Sequence, residues 1–252
     1  MSKILIYFSI MLSLMTSNAF ANNSETIKIS QSHILTLNDV EFDKSTGEIE
    51  GYTADYKDIV IPDNFDGVSV TSIGDYAFSE NTLMSVSIPN SVTEIGNSAF
   101  SSNALTSVSI PNSVTEIGKS AFSENALTSV SIPNSVIEIG ESAFNKNKIV
   151  MVNDLLSNGF IYARNDDGTD NIETIVSYGG EAKDVSIPNS VTKIGESAFA
   201  YNALTNVSIP NSVIKIGKSA FSSNALTSVS IPNSVTEIGE SAFDEDVIIT
   251  RI

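Results

Sequence analysis

The 252-residue chain has no cysteine, no tryptophan and a single histidine, His33. Without cysteine there is no disulfide to brace an exported fold, so stability must come from a buried core. With one histidine and no catalytic spacing of nucleophile and base, general acid–base and nucleophilic catalysis have little to work with. We therefore expect no enzymatic activity, no cofactor and no metal centre. Basic residues are also scarce: Lys plus Arg total 13 against 30 Asp plus Glu, a net charge of −17. Loss of Lys3 with a leader would bring the mature chain to about −18. Such a surface repels nucleic acid and anionic lipid. It serves first as a solubility device against self-association of stacked units; recruitment of cations or basic partners is the alternative.

No apolar stretch approaches the about 20 residues of a membrane span. The first 21 residues instead have the form of an export signal: a short start with Lys3, an apolar run over residues 4–15, and Ala19-Phe20-Ala21 in the small-x-small pattern of a cleavage site. The mature chain is expected to begin at Asn22 and to be secreted, at the cell surface or periplasmic, without membrane insertion. With no cysteine near the signal and no apolar tail, neither a lipid anchor nor a C-terminal anchor is expected.

What is abundant is repetition. All seven prolines, Pro62, Pro89, Pro111, Pro133, Pro188, Pro210 and Pro232, follow isoleucine at one phase of a pattern. Residues 105–122 (LTSVSIPNSVTEIGKSAF) and 127–144 (LTSVSIPNSVIEIGESAF) lie 22 residues apart. A fixed period of this size marks a solenoid. Seven Ile-Gly pairs, ending at Gly74, Gly96, Gly118, Gly140, Gly195, Gly217 and Gly239, keep the same phase, as do seven Ala-Phe pairs ending at Phe78 through Phe243. Between Phe144 and Phe199 the step is 55 residues, so an insertion of about 33 residues separates four coils from three.

The insertion resembles the start of the chain. Lys183-Asp184-Val185-Ser186-Ile187-Pro188 matches Lys57-Asp58-Ile59-Val60-Ile61-Pro62, and each follows hairpin signals, at residues 43–47 and at Asn165-Asp166-Asp167-Gly168. We expect a signal at 1–21, an N-terminal strand and hairpin entry module at 22–60, four coils at 61–148, a hairpin-like insertion at 149–186, and three coils with an exit strand at 187–252. Residues 148–152 and 247–251 occupy equivalent places as exit strands, in keeping with the atypical end repeats of solenoids.

Within one coil the apolar positions are Leu105, Val108, Ile110, Val114, Ile117, Ala121 and Phe122. Val108 and Ile110 alternate with Ser107 and Ser109, the period of a half-buried strand. Pro111 ends that strand because it has no N–H to donate. Val114 to Ile117 forms a second extended segment, Gly118 a bend where a side chain would clash or φ is positive, and residues 120–122 a 3₁₀ turn placing Phe122 at a core corner. Asn81, Asn103, Asn125, Asn147, Asn202 and Asn224, with Asp246 as a seventh member, form a ladder suited to satisfying turn backbone.

The repeat Leu105-x-x-Val108-x-Ile110-Pro111-x-x-Val114-x-x-Ile117-Gly118-x-x-Ala121-Phe122-x-x-Asn125 resembles the leucine-rich repeats of the BspA-like, or Treponema pallidum type, surface proteins, over residues 39–247. The step here is 22 residues where 23 is usual, and Asn stands where that family often has Cys. The resemblance implies a β-rich, right-handed leucine-rich-repeat solenoid with short parallel strands and 3₁₀ turns, interrupted by a β-hairpin module. It also implies a class linked to adhesion and to binding of host proteins or cells.

Three features are candidate sites. The outward strand face carries paired small hydroxyls, among them Ser107, Ser109, Ser129, Ser131, Ser228 and Ser230, able to hydrogen-bond a polymer such as a glycan with repetition supplying avidity. It lacks the aromatic or Arg anchors that usually carry interface energy, and a solvated β surface is the plain alternative. The insertion adds Phe160, Tyr162 and Tyr178 as candidate ligand contacts, the alternative being that these rings pack the hairpin onto the solenoid, as Tyr52 and Tyr56 would in the first module. A charged ladder runs Glu94, Glu116, Glu138, Lys193, Lys215, Glu237; its carboxylates splay into water or bridge a divalent cation. Asn165-x-Asp167-Gly168-x-Asp170 lacks the distal Glu of a calcium loop and fits a hairpin turn. The expected function is non-enzymatic recognition of an extracellular protein or glycan. A structural spacer or end-to-end self-association through residues 247–252 is the alternative.

Overall fold

The structure, a computed structural model, describes residues 32–252. The expected signal segment lies outside them. Every described element is a β-strand or a turn; among these residues there is no helix, and so none long and apolar enough to cross a membrane. The chain winds as a solenoid. Each coil contributes a three-residue strand to one face, such as Ser107–Ser109, and a two-residue strand to another, such as Glu116–Ile117. Both faces are parallel ladders: Ser107, Val108 and Ser109 lie opposite Ser129, Val130 and Ser131, and Ile95, Ile117 and Ile139 stack in one row. Alternation puts Val108 inside and both serines outside. All seven apolar positions of this coil are buried.

The phenylalanines form columns. Phe78, Phe100, Phe122 and Phe144 stack with centroids 5.1, 5.3 and 5.5 Å apart, close to the spacing of hydrogen-bonded strands. A second column runs Phe199, Phe221, Phe243 at 5.0 and 5.1 Å. A tyrosine begins each: Tyr52 stacks on Phe78 at 5.3 Å and Tyr178 on Phe199 at 5.2 Å. Each tyrosine hydroxyl donates to the carbonyl four residues on, Tyr52 to Tyr56 at 3.0 Å and Tyr178 to Ala182 at 3.1 Å.

These tyrosines end antiparallel hairpins. In the first, Val40–Asp43 pairs with Glu48–Tyr52; in the second, Phe160–Arg164 pairs with Asp170–Tyr178. The returning strand of each then pairs in parallel with the short strand of the following coil, Ile49 opposite Ile73 and Ile175 opposite Ile194. Asn165 to Thr169 is a tight turn with Gly168 at φ +74°, the hairpin tip expected from its Asp-Gly signal.

The corner carrying Phe122 departs from the expected 3₁₀ turn. Gly118 is not left-handed; an added β-carbon there would lie 2.6 Å from the amide nitrogen of Asn97 and the carbonyl carbon of Gly96. Ser120 and Glu124 are the left-handed residues, at φ 55° and 56°. Such residues between right-handed ones turn successive N–H groups to one side. Ser98, Phe100 and Ser102 thus donate to Lys119, Ala121 and Ser123 of the next coil at 2.8, 2.8 and 3.0 Å. The corner is a third inter-coil ladder, which a 3₁₀ turn, bonding only to itself, could not make.

The asparagine ladder sits behind this corner. Asn125 donates through Nδ2 to Phe100 O at 2.9 Å and Phe122 O at 3.2 Å, and its Oδ1 accepts from Leu105 N at 3.0 Å. Asn103, Asn147 and Asn224 repeat the pattern. At the exit, Asp244 rather than Asp246 accepts from Ser223 N at 2.8 Å and Asn224 N at 3.3 Å. The parallel step from Ser228 to Ile248 is 20 residues where Ser107 to Ser129 is 22, which brings the carboxylate two positions earlier over those amides.

Candidate functional site

The outward serines come together as expected of a ladder. Ser107, Ser109, Ser131, Ser228 and Ser230 are exposed and Ser129 half-exposed, with Ser129 between Ser107 and Met151 in register. The face is not continuous. One stretch ends with Met151–Val152 and the antiparallel strand Leu155–Leu156, and another begins at Asp184–Ser186. Ser107 to Ser131 and Ser228 to Ser230 therefore belong to separate stretches.

The insertion is where the stacking changes, and backbone bookkeeping shows how. The corner N–H groups of the fourth coil do not bond to backbone carbonyls of the next coil's corner. Ser142 N instead donates to Val176 O at 3.2 Å, Phe144 N to Ser177 Oγ at 3.0 Å, and Lys146 N to Asn202 Oδ1 at 3.3 Å. Asn145, buried at 4% exposure, closes the joint. Its Oδ1 accepts from Ser177 Oγ at 2.6 Å and Tyr178 N at 3.1 Å; its Nδ2 donates to Ser197 O at 3.0 Å and Ala200 O at 3.2 Å. Four coils, hairpin and following coil are tied by one side chain.

Arg164 holds the opposite corner. Its side chain is 1% exposed and donates from Nε to Val136 O at 3.1 Å and from Nη2 to Pro133 O at 3.2 Å, with Gly168 O and the Asp170 carboxylate as further partners. The chain's other arginine, Arg251, does the same at its far end, donating from Nη1 to Pro232 O at 3.3 Å and Val235 O at 2.8 Å. Both arginines thus cap the Pro-x-x-Val turn of the last coil in a run. Sequence reasoning missed these residues. A signal was present: the position after the repeat Phe is Ser or Ala in five coils, but Asn145 and Asp244 in the two that end a run.

The insertion aromatics pack where the hairpin meets the following coil. Phe160 is 6% exposed and Tyr178 1%. Their rings lie 5.7 Å apart and against Phe199, at 6.1 and 5.2 Å, because the Phe199 column needs a cap that the fourth coil does not supply. Both pack in the core, the role given as the alternative for these rings. Tyr162 is half-buried 6.4 Å from Phe160, and burial, followed by the charge of Asp170, raises its hydroxyl pKa.

Beside this packing lies a cleft of about 440 Å³, lined by Val150 and Asn158, Val185 and Ser186, with Phe160 and Tyr178 also among its lining residues. It occupies the interruption of the serine-bearing face. Elsewhere, Lys119 pairs with Glu141 at 2.9 Å and Lys146 with Glu124 at 2.8 Å, with Lys146 4.9 Å over the Tyr201 ring. His33 stacks on Tyr56 at 3.6 Å and bonds Asp39 at 3.2 Å. Along the Glu ladder, burial and then the Glu138 and Glu94 charges raise the Glu116 pKa. Among the described residues no cluster of three or more His, Asp or Glu could hold a metal ion.

The model for the BspA type leucine-rich repeat region matches in six copies, over residues 51–162 and 170–252. A leucine-rich repeat protein from Eubacterium ventriosum is similar at 28% identity and a TM-score of 0.56, over 72% of this chain and 49% of its own. One from Bacteroides ovatus is 24% identical with a TM-score of 0.47, over 84% and 65%. A leucine rich cell surface protein from Faecalibacterium prausnitzii is 21% identical with a TM-score of 0.37, over 82% and 84%. The chain spans about half the length of the first of these and 65% of the second. Comparison with curated proteins finds no match. The repeat ladder, its phase and the family model agree: the chain belongs to the BspA-type leucine-rich-repeat family.

Proposed function

We propose that the protein is a non-enzymatic binding module, secreted or at the cell surface, that recognises an extracellular protein or glycan. The observation that carries this is the register of exposed hydroxyls: Ser107 opposite Ser129 and Ser109 opposite Ser131 give equivalent donor–acceptor groups at strand spacing along a polymer's length. Individually weak contacts then add through repetition. Membership of a repeat family associated with protein interaction and adhesion supports the reading, as does the export-type start. Residues 22–60 and 149–186 serve in it as entry modules for two blocks of coils, at 61–148 and 187–252.

The test is an array of extracellular glycans and matrix proteins probed with the mature chain and with the double variant Ser109→Arg, Ser131→Arg. Selective binding that the double variant loses by about tenfold or more supports the serine face. Binding to nothing, or binding the variant leaves untouched, removes it. A mass that grows with concentration in light scattering, without any ligand, would favour the spacer or self-assembly reading instead.

A further inference from the structure

The two entry hairpins differ in what lies beside the strand that follows them. In the first, His33–Ile34 pairs in parallel on the outer edge of Asp58–Val60, with His33 opposite Ile59 and Ile34 opposite Val60. Leu35 N donates to Val60 O at 3.0 Å, and the Leu35 side chain is buried at 2% exposure. Asp184–Ser186 holds the same place after the second hairpin, preceded by the same Lys and followed by the same Ile-Pro. It pairs with Asn206–Ser208 on one edge, and among the described residues no strand pairs with the other.

Lys183 O and Ile187 N both bond toward Asn206–Ser208. In a parallel strand successive residues alternate direction, so the N–H and C=O of Asp184 and Ser186 face the other way. Ser186 C=O is the counterpart of the Val60 carbonyl that Leu35 fills. What lies there is the 440 Å³ cleft, which Asp184, Val185 and Ser186 line. The exit residues that could have covered the edge fold back: Leu155–Leu156 pairs antiparallel with Met151–Val152, leaving Leu155 72% and Leu156 91% exposed.

We infer that this cleft is a strand-accepting slot, filled by an extended peptide segment of a partner protein that pairs in parallel with Asp184–Ser186 as His33–Ile34 pairs with Asp58–Val60. Main-chain bonds supply affinity in such augmentation and side-chain pockets the selectivity. Val150, 52% exposed in the cleft lining, gives one aliphatic side chain, the counterpart of Leu35, an apolar surface to meet. Glu181 and Asp184 lie on the rim of a chain of net charge −17, so the flanking residues of the peptide are basic. The inference shares with the proposed function only the premise that the chain binds macromolecules, and it does not use the serine face.

The probe is a fluorescein-labelled peptide of residues 32–38 (SHILTLN) carrying two C-terminal lysines, titrated by anisotropy against the mature chain. Saturable binding is expected, weakened about tenfold or more by Ser186→Pro, which removes a donor facing the cleft while leaving the bonds to Asn206–Ser208. Asn158→Trp, which fills the cleft from the opposite wall, should weaken it similarly and guards against misfolding of the proline variant. Ser109→Arg with Ser131→Arg should leave the affinity within about twofold, so the slot and the serine face fail separately. No saturation up to about 1 mM peptide, binding that both cleft variants leave unchanged, or tighter binding of a peptide ending in two glutamates would each overturn the inference. So would a dimer of the chain alone that Ser186→Pro abolishes, since the occupant would then be a second copy.

Discussion

Gly118 and Ser120 exchange the roles that residue type suggests. The glycine is required by close approach: the preceding coil's backbone stands 2.6 Å from where a β-carbon would go. The serine carries the left-handed conformation at φ 55°. Gly118→Ala is therefore expected to cost about 3 kcal/mol or more in urea unfolding, since backbone rather than a flexible side chain must yield. Ser120→Gly should change stability by less than about 1 kcal/mol, relief of left-handed strain offsetting the added freedom of the unfolded chain. Asn125→Ala should cost about 1–3 kcal/mol because it orphans Leu105 N and leaves Phe100 O and Phe122 O each with one amide donor, from Asn103 and Asn147, in place of two. Removing the exposed Ser109 hydroxyl should stay within about 0.5 kcal/mol. The Glu ladder sets a pH response. Burial, then neighbouring carboxylates, raise Glu48 and Glu116 above 4.5, so their charged forms oppose folding. The stability they withhold at pH 7 returns as pH falls toward 4.5. Below 3.8 the trend reverses, because burial of Asp39 is outweighed by its bonds from Thr36 and His33, which hold its pKa down. Glu116→Gln should raise the melting midpoint at pH 7 and flatten the change between pH 7 and 5.

At the scale of elements, each coil offers three rows of inter-coil hydrogen bonds, two from strands and one from the Phe corner. A coil ending a run must find other partners for all three. In the fourth coil the Ser129–Ser131 row pairs with Met151–Val152, and the hairpin serves the corner through Val176 O and Ser177 Oγ and the Pro133 turn through the Arg164 guanidinium. Arg164→Ala is expected to destabilise by about 2–4 kcal/mol, leaving the Val136 carbonyl without a donor and the Pro133 carbonyl with Val136 N alone. Arg164→Lys should recover less than half of that, since a single ammonium cannot span the fork of partners. A melt of each variant checks both. Ser177→Ala tests the other side of the joint and should cost more than Ser107→Ala, its hydroxyl being fully buried between Phe144 N and Asn145.

For the whole molecule, the described residues bury two apolar clusters, one reaching Phe144 and Ile161 and one running from Phe160 and Tyr178 to Val247. The hairpin thus contributes to both. A fragment of residues 183–252 would leave the Phe199 ring uncapped and is expected to be unfolded or marginal by circular dichroism, whereas residues 157–252, which retain Phe160 and Tyr178, should melt cooperatively. A sharp, high-temperature melt of the shorter fragment would contradict this.

The period of 22, the apolar positions, the strand phase marked by proline and the asparagine ladder were legible because each coil meets the same environment, and a repeated environment selects repeated residues. Local chemistry was also enough to place hairpin tips at Gly47 and Gly168. What one coil's sequence could not disclose was anything owed to its neighbour. Left-handed serines, the clash behind Gly118 and the corner ladder arise only when a second coil lies about 5 Å away. Phe160 and Tyr178 look like spare aromatics until the uncapped Phe199 column is seen to require them. The exposed serines follow from alternation alone. The unfilled edge of Asp184–Ser186 does not: near-identical residues at Asp58–Val60 have a strand beside them, and only the path of the chain through Leu155–Leu156 decides that the second edge stays open.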